Sequence, residues 1–445
     1  MLRRTYLACL FFTVAGAASA AEPVFKDTGF GSAESTANSG SVETKLVSNI
    51  EAWSQEPESA SGECAGSDSC SSCGKTCANS CTIDTSGTTR FYGWLNGGVL
   101  LNSSSPPSRF NGPYNAIDND GGMFNQAYLI GEKTLDSRAA FDIGGRIDVL
   151  YGYDFFLAQS IGVEVSPDGV MKWNNQYYGL AIPQAYGQFG NEDVSIKIGH
   201  FYTPVGYEGV PAPNNFFYSK AYSYMFAGPF THWGGLASAK LSDGWTAQGG
   251  LVNGWNALDR VHDYLAVLAG LKYTARQWWT SFTIITGNEY NNVAGLPDIT
   301  PDYANRTRYS WIVDLQSGTG WEYVFHQWFG SQAEGTPSGK AALWYGIDQY
   351  LYYTFNSNWK FGGRFEWFRD QDGTRVGLNR APNPNKPPFP GNFTSGSIGL
   401  NWTPSPNLTV RPEIRVDWFD GVNRPFADGT KVNQFLVGTD AIWSF

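Results

Sequence analysis

The feature that most constrains this chain is alternation of apolar and charged residues, recurring in segment after segment from about Arg90 to the terminal Phe445. A period of two puts neighbouring side chains on opposite faces of an extended strand. In 141–149, Phe141, Ile143, Gly145, Ile147 and Val149 share one face, and Asp142, Arg146 and Asp148 lie on the other. Trp359, Phe361, Phe365 and Trp367 oppose Lys360, Arg364 and Glu366; Leu408, Val410, Pro412, Ile414, Val416 and Trp418 oppose Arg411, Glu413, Arg415 and Asp417. These runs are about 9 to 12 residues long and carry aromatic residues near their ends, as tilted strands crossing a bilayer between aromatic girdles do. Strands of soluble domains average about 5 to 6 residues, although an edge strand of a soluble sandwich shows the same two-faced pattern.

The pattern predicts an all-β fold: an antiparallel transmembrane β-barrel of about 16 strands, within a range of roughly 14 to 18. The segments are 90–101, 124–134, 139–151, 181–190, 193–201, 230–241, 244–254, 263–274, 277–287, 306–316, 319–329, 341–355, 358–369, 392–403, 407–419 and 432–445. An even count returns both ends of the barrel to one side of the membrane. Connection lengths test this independently, because such barrels have short periplasmic turns and longer outer loops. Short links such as Asn191-Glu192, Ser242-Asp243 and Asn356-Ser357 alternate with long ones at 102–123, 152–180, 202–229, 255–262, 288–305, 330–340, 370–391 and 420–431.

Composition agrees. The chain has 445 residues with 52 Gly, 24 Tyr, 29 Phe and 17 Trp, and only 16 % are charged. Beyond the N-terminus no run approaches the roughly 20 apolar residues of a membrane-spanning helix. Residues 1–20 read as a signal peptide: Arg3 and Arg4, an apolar run from Tyr6 to about Val14 that contains Cys9, then Ala18-Ser19-Ala20. Its removal would take the formal charge from -10 to -12, which argues against nucleic acid as a partner.

Residues 21–89 form a low-complexity Ser- and Gly-rich segment containing Cys64, Cys70, Cys73, Cys77 and Cys81. In an exported protein five cysteines point to two local disulfides and one thiol for an intermolecular bond. Zinc held by the 70/73 and 77/81 pairs, or a plain tether, are the alternatives. No metal or other cofactor is expected. Asp118-Asn119-Asp120-Gly121-Gly122 reads as a turn without the spacing of a calcium cage. None of His200, His232, His262 and His326 accompanies a nucleophile motif, so no catalytic residue is assigned.

The stretch Lys197-Ile-Gly-His-Phe-Tyr-Thr-Pro-Val-Gly-Tyr-Glu-Gly-Val-Pro211, followed by Asn214-Asn-Phe-Phe-Tyr-Ser219 and Gly228-Pro-Phe-Thr-His-Trp-Gly234, resembles the OmpL-like β-barrel porin family across roughly 90–445. The part from Gly199 through Pro204 and Gly206 to Glu208 is also similar to the strand-loop junction of the phosphate-selective porins. The resemblance implies an outer-membrane channel for small hydrophilic solutes or ions, as a homotrimer or a single barrel. The stretch opens the third long loop, which in general porins folds inward; an outer cap is the other reading. The last strand places Phe435, Val437, Ala441, Trp443 and Phe445 on one face, and its terminal aromatic resembles the signal read by the barrel-assembly machinery.

Candidate lumen residues are Asp142, Arg146, Asp148, Lys197, Arg308, Asp314, Arg364, Glu366, Arg411, Glu413, Arg415 and Asp417, with Glu208 and Lys220 from the third loop. Either these charges pair across strands, or they set a transverse field across a constriction. Two other classes stay open: a non-conducting structural or adhesive envelope barrel cross-linked through the N-terminal cysteines, and a soluble secreted β-protein.

Overall fold

The computed structural model describes residues 87–445 apart from 114–120, 137, 167–169, 176, 192, 259–263, 291–302 and 378–387. The signal peptide, the five-cysteine segment, Asp118 to Asp120 and His262 lie outside the described residues. Sixteen strands follow in order: β1 Thr89–Asn102, β2 Met123–Lys133, β3 Asp142–Gly152, β4 Gly179–Gly190, β5 Val194–Tyr202, β6 Thr231–Ser242, β7 Trp245–Val252, β8 Ala266–Thr274, β9 Trp278–Tyr290, β10 Tyr303–Gln316, β11 Trp321–Gln332, β12 Ala342–Asn356, β13 Trp359–Asp370, β14 Gly391–Ser405, β15 Leu408–Gly421 and β16 Asn433–Ser444. Each pairs antiparallel with its sequence neighbours, and β1 pairs with β16, which closes the barrel.

Every expected segment coincides with one of these strands; the differences are at the ends. β3 starts at Asp142 rather than 139, because the Asp142 carboxylate accepts from Lys133 Nζ at 2.9 Å and from the Asp136 backbone N–H at 2.9 Å, which holds the preceding residues in a turn. β10 begins at Tyr303 because pairing with β9 continues to Tyr290.

Alternation along each strand sorts side chains to the two faces. Outward residues are apolar and uncovered: Leu129, Ile147, Ile196, Leu251, Trp311, Ile398 and Val437 are each at least 40 % exposed. A belt of that extent would drive a water-soluble protein to associate, whereas hydrocarbon solvates it. The soluble reading is therefore set aside. Uncovered Phe91, Trp245, Trp278, Trp321, Trp359, Trp402, Trp443 and Phe445 cluster at the short-turn end, where an aromatic girdle belongs.

Closure is completed by the last residue. The Gly93 N–H donates to the Phe445 carbonyl and the Phe445 N–H to the Gly93 carbonyl, both at 2.9 Å. Deleting Phe445 removes both bonds at the seam, each worth about 1 kcal/mol. The expected result is a smaller fraction of heat-modifiable, folded protein on unboiled gels; an undiminished folded band would contradict it.

Candidate functional site: the third loop and the lumen wall

Between β5 and β6, residues 203–230 turn into the barrel. The loop contains a 3-10 turn, Ala212–Asn214, and an α-helical turn, Tyr222–Phe226, and most of its residues are buried, with Ala221, Tyr222 and Ala227 fully so. This settles the two readings of the loop: it folds inward and is not an outer cap.

The wall is shaped to take it. Gly362 of β13 and Gly399 of β14 are cross-strand partners on the inner face. Without side chains they leave a depression that receives the Phe216 and Phe217 rings; a Cβ at 362 would fall 2.3 Å from the Phe216 ring. Wall charges then fasten the loop backbone. Arg364 donates to Glu208 at 2.7 Å and to the Ser219 carbonyl at 2.9 Å. Glu366 accepts the Tyr222 and Ser223 N–H groups at 2.8 and 2.6 Å. Glu413 accepts the Ser219 N–H at 2.8 Å and its hydroxyl. Arg411 donates to the carbonyls of Ala212 at 2.9 Å and Asn215 at 2.5 Å, and Arg415 to that of Lys220 at 2.8 Å. Further round the wall, Gln126 of β2 donates to the Val210 carbonyl at 2.8 Å and accepts the Ala212 N–H at 3.0 Å. Trp344 of β12 and Arg375 donate to the carbonyls of Ala227 and Phe226, each at 3.0 Å.

Seven of the candidate lumen charges thus meet at this loop: Glu208, Lys220, Arg364, Glu366, Arg411, Glu413 and Arg415. Lys220 donates to the Gly209 carbonyl at 2.7 Å and lies 5.2 Å from the centre of the Tyr224 ring. Arg308 joins them through the Val205 carbonyl at 2.7 Å. The others stand apart. Arg146 pairs with Asp148 at 2.7 Å, and Asp148 also accepts from the Tyr128 hydroxyl at 2.5 Å. Asp417 pairs with Arg415 at 2.8 Å, Lys197 rests 4.9 Å from the Tyr186 ring centre, and Asp314 sits opposite Trp279 near the short-turn end of β10. Asp142 is at the short-turn rim, in the clasp described above. The pairs are partly cross-strand, as with Arg411 and Asp440 at 2.5 Å, and partly between alternate residues of one strand.

Sequence reasoning passed over several of the residues that hold the loop. Gln126, Trp344 and Tyr350, whose hydroxyl donates to Glu208 at 3.1 Å, are uncharged, so a search for charges missed them; their inward parity on β2 and β12 was the available signal. It also passed over a chain of polar contacts on three adjacent strands. Ser310 Oγ lies 2.9 Å from His326 Nε2, and His326 Nδ1 lies 2.7 Å from Asp348 Oδ2. The order resembles a hydrolytic triad. Ser310 is 1 % exposed, and His326 lines a cavity enclosed by loop residues between Tyr202 and Phe230. The chain fixes the His326 ring beside that cavity.

A closed antiparallel barrel of sixteen strands, with its third long loop packed inside, is the architecture of a porin. Residues 88–445 match the family described as "Putative beta-barrel porin-2, OmpL-like", and the chain belongs to that family. Solved structures agree in fold. In-vitro folded OmpT of Vibrio cholerae matches with a TM-score of 0.53 and 9 % identity, over 80 % of this chain and 97 % of that one. The anion-selective porin from Comamonas acidovorans matches with a TM-score of 0.52 and 9 % identity, over 80 % and 99 %. A trimer form of the Vibrio protein matches with a TM-score of 0.52 and 9 % identity, over 81 % and 100 %. No curated protein sequence matches.

The Arg364 side chain is wholly enclosed and lies 2.7 Å from Glu208 and 3.7 Å from Glu413. Arg364→Met leaves two buried carboxylates without their shared cation, a loss of about 3–5 kcal/mol that falls on the loop. Limited trypsin digestion is expected to cut after Lys220 in this variant and not in the parent, with the barrel still folded on unboiled gels. Equal resistance in both would show that Arg364 does not hold the loop.

Proposed function

We propose that the chain is an outer-membrane porin through which small hydrophilic solutes or ions diffuse, with the third loop setting the bore. The observation that carries this reading is the fastening of that loop inside the barrel by Arg364, Glu366, Arg411, Glu413 and Gln126, well below the rim. A loop held by buried charge-assisted bonds keeps one position, and pore radius and lining charge are what a passive channel uses to discriminate. A homotrimer, the form recorded for one structure of the Vibrio porin, belongs to the same proposal.

The loop also shares a buried apolar cluster with inward aromatic and aliphatic residues, among them Trp328, Phe368, Phe393 and Ile285, which takes up lumen space. That observation favours a second reading, the sealed structural barrel joined to neighbours through its cysteines. Planar-bilayer recording of the refolded full chain separates the two. Small unitary conductance steps are expected, larger in Arg364→Met; a barrel that inserts and never conducts would leave only the structural reading.

The charge on the loop gives the channel a pH dependence. Burial lowers the Lys220 ammonium to about 8, against the pull of Glu208 and Asp154, which favour its charged form. Below pH 8 the loop carries this positive charge, and above it the amine is neutral. Reversal potentials across a salt gradient are therefore expected to show anion preference falling between pH 7 and pH 9, and no such change in Lys220→Met. An identical pH profile in that variant would remove Lys220 from the passage.

A further inference from the structure

The barrel wall holds six buried strand arginines: Arg146, Arg306, Arg308, Arg364, Arg411 and Arg415. Five have a carboxylate within 4 Å: Asp148, Glu289, Glu208, Asp440 and Asp417 respectively. Arg308 is the exception among the described residues. It is 2 % exposed, it donates one bond to the Val205 carbonyl at 2.7 Å, and its Nε has no hydrogen-bond partner. The one carboxylate that acts on Arg308, Asp348, does so from beyond salt-bridge distance and is bonded to His326, so the buried guanidinium keeps unfilled hydrogen-bonding capacity, which is costly unless something else fills it.

Arg308 is not buried against solid packing. It lines a small cavity inside the third loop, between the entering stretch Tyr202–Pro211 and the returning stretch Ser223–Phe230, with His326 beside it on the wall. Two glycines of the loop, Gly206 and Gly228, let the backbone come close to the guanidinium at the cavity; a Cβ at 228 would fall 2.3 Å from Arg308 Nη1. The Tyr224 hydroxyl, on the same cavity wall, is enclosed and also without a partner. The carboxylate that lines the cavity, Glu208, does not compete for Arg308. Its Oε1 is taken by Arg364 and by the Tyr350 hydroxyl at 3.1 Å, and its Oε2 by the Ala221 N–H at 2.9 Å. Both ring nitrogens of His326 are occupied by Ser310 and Asp348, so this residue offers only its ring.

We propose that this cavity binds the carboxylate of a small organic acid, completing the bonding of Arg308 and Tyr224 while the acid's body rests among the rings of Tyr202, Tyr207, Tyr224 and Phe230. A planar guanidinium matches a carboxylate's two oxygens, and the aromatic walls suit a flat apolar body better than a hydrated inorganic ion. The site deepens the porin reading by naming a class of solute, and rests on that reading only for the claim that the acid passes through.

Binding is tested apart from transport, by titrating benzoate into the detergent-solubilised, refolded full chain in a calorimeter, with benzamide and inorganic phosphate as parallel probes. Benzoate is expected to bind, benzamide not to bind, and phosphate to bind more weakly. Arg308→Gln and Tyr224→Phe should each weaken benzoate by about tenfold or more, the loss of one bond to a charged group. Should Arg308→Gln fail to fold, Gly228→Ala pushes the guanidinium from its place beside the cavity, and the same loss is expected. Absent benzoate binding, benzoate binding that Arg308→Gln and Gly228→Ala leave unchanged, or phosphate binding as tight as benzoate would each overturn the assignment. A protein that binds benzoate through Arg308 yet never conducts would keep the site and refute the channel.

Discussion

Hydrocarbon offers no hydrogen bonds, and the rest of this structure follows from that constraint. A strand that crosses a bilayer must satisfy its backbone groups with neighbouring strands, so the sheet has to close. Sixteen antiparallel strands close here through the pairing of β1 with β16, and the outward face of every strand is left for residues whose only requirement is to be apolar. The inward face is thereby released from contact with lipid and can carry Asp, Glu, Arg and Lys.

What those inward charges do is set by the third loop. A loop drawn into a barrel brings its own unpaired N–H and C=O groups with it, and they need partners as much as those of a strand. The wall supplies them: arginines reach the loop's carbonyls and glutamates its N–H groups. Glu366 illustrates the arrangement, accepting two successive N–H groups at the start of the helical turn and the Ser395 hydroxyl at 3.1 Å. The lumen charges are thus in large part structural partners of an irregular backbone, and both signs occur because a peptide has both donors and acceptors.

The barrel was legible in the sequence because side-chain parity along a strand is a local property. Phe365, Arg364 and Glu366 disclose their faces without reference to any other strand, and connection lengths add the order of turns and loops. The inward course of the loop was legible only through its resemblance and position. Its anchoring was less so, because it depends on which residues meet across the lumen. Gly362 and Gly399 are unremarkable glycines in sequence; their role exists only because they are paired neighbours beneath Phe216 and Phe217. Arg308 looked like the other inward arginines, and what sets it apart, the lack of a carboxylate within salt-bridge distance, is a property of the neighbouring strands and the loop together.

The loop's attachments reach β2 and, across the barrel from it, β10, with β12, β13 and β15 on the arc between them. A hollow tube flattens easily under sideways load, and a strut across it resists that flattening. Seen mechanically, the loop is a cross-brace: membrane tension that tends to make the barrel oval acts on the same buried bonds that position the loop. Cross-sectional shape and loop position are then a single variable, and a lipid environment that deforms one deforms the other.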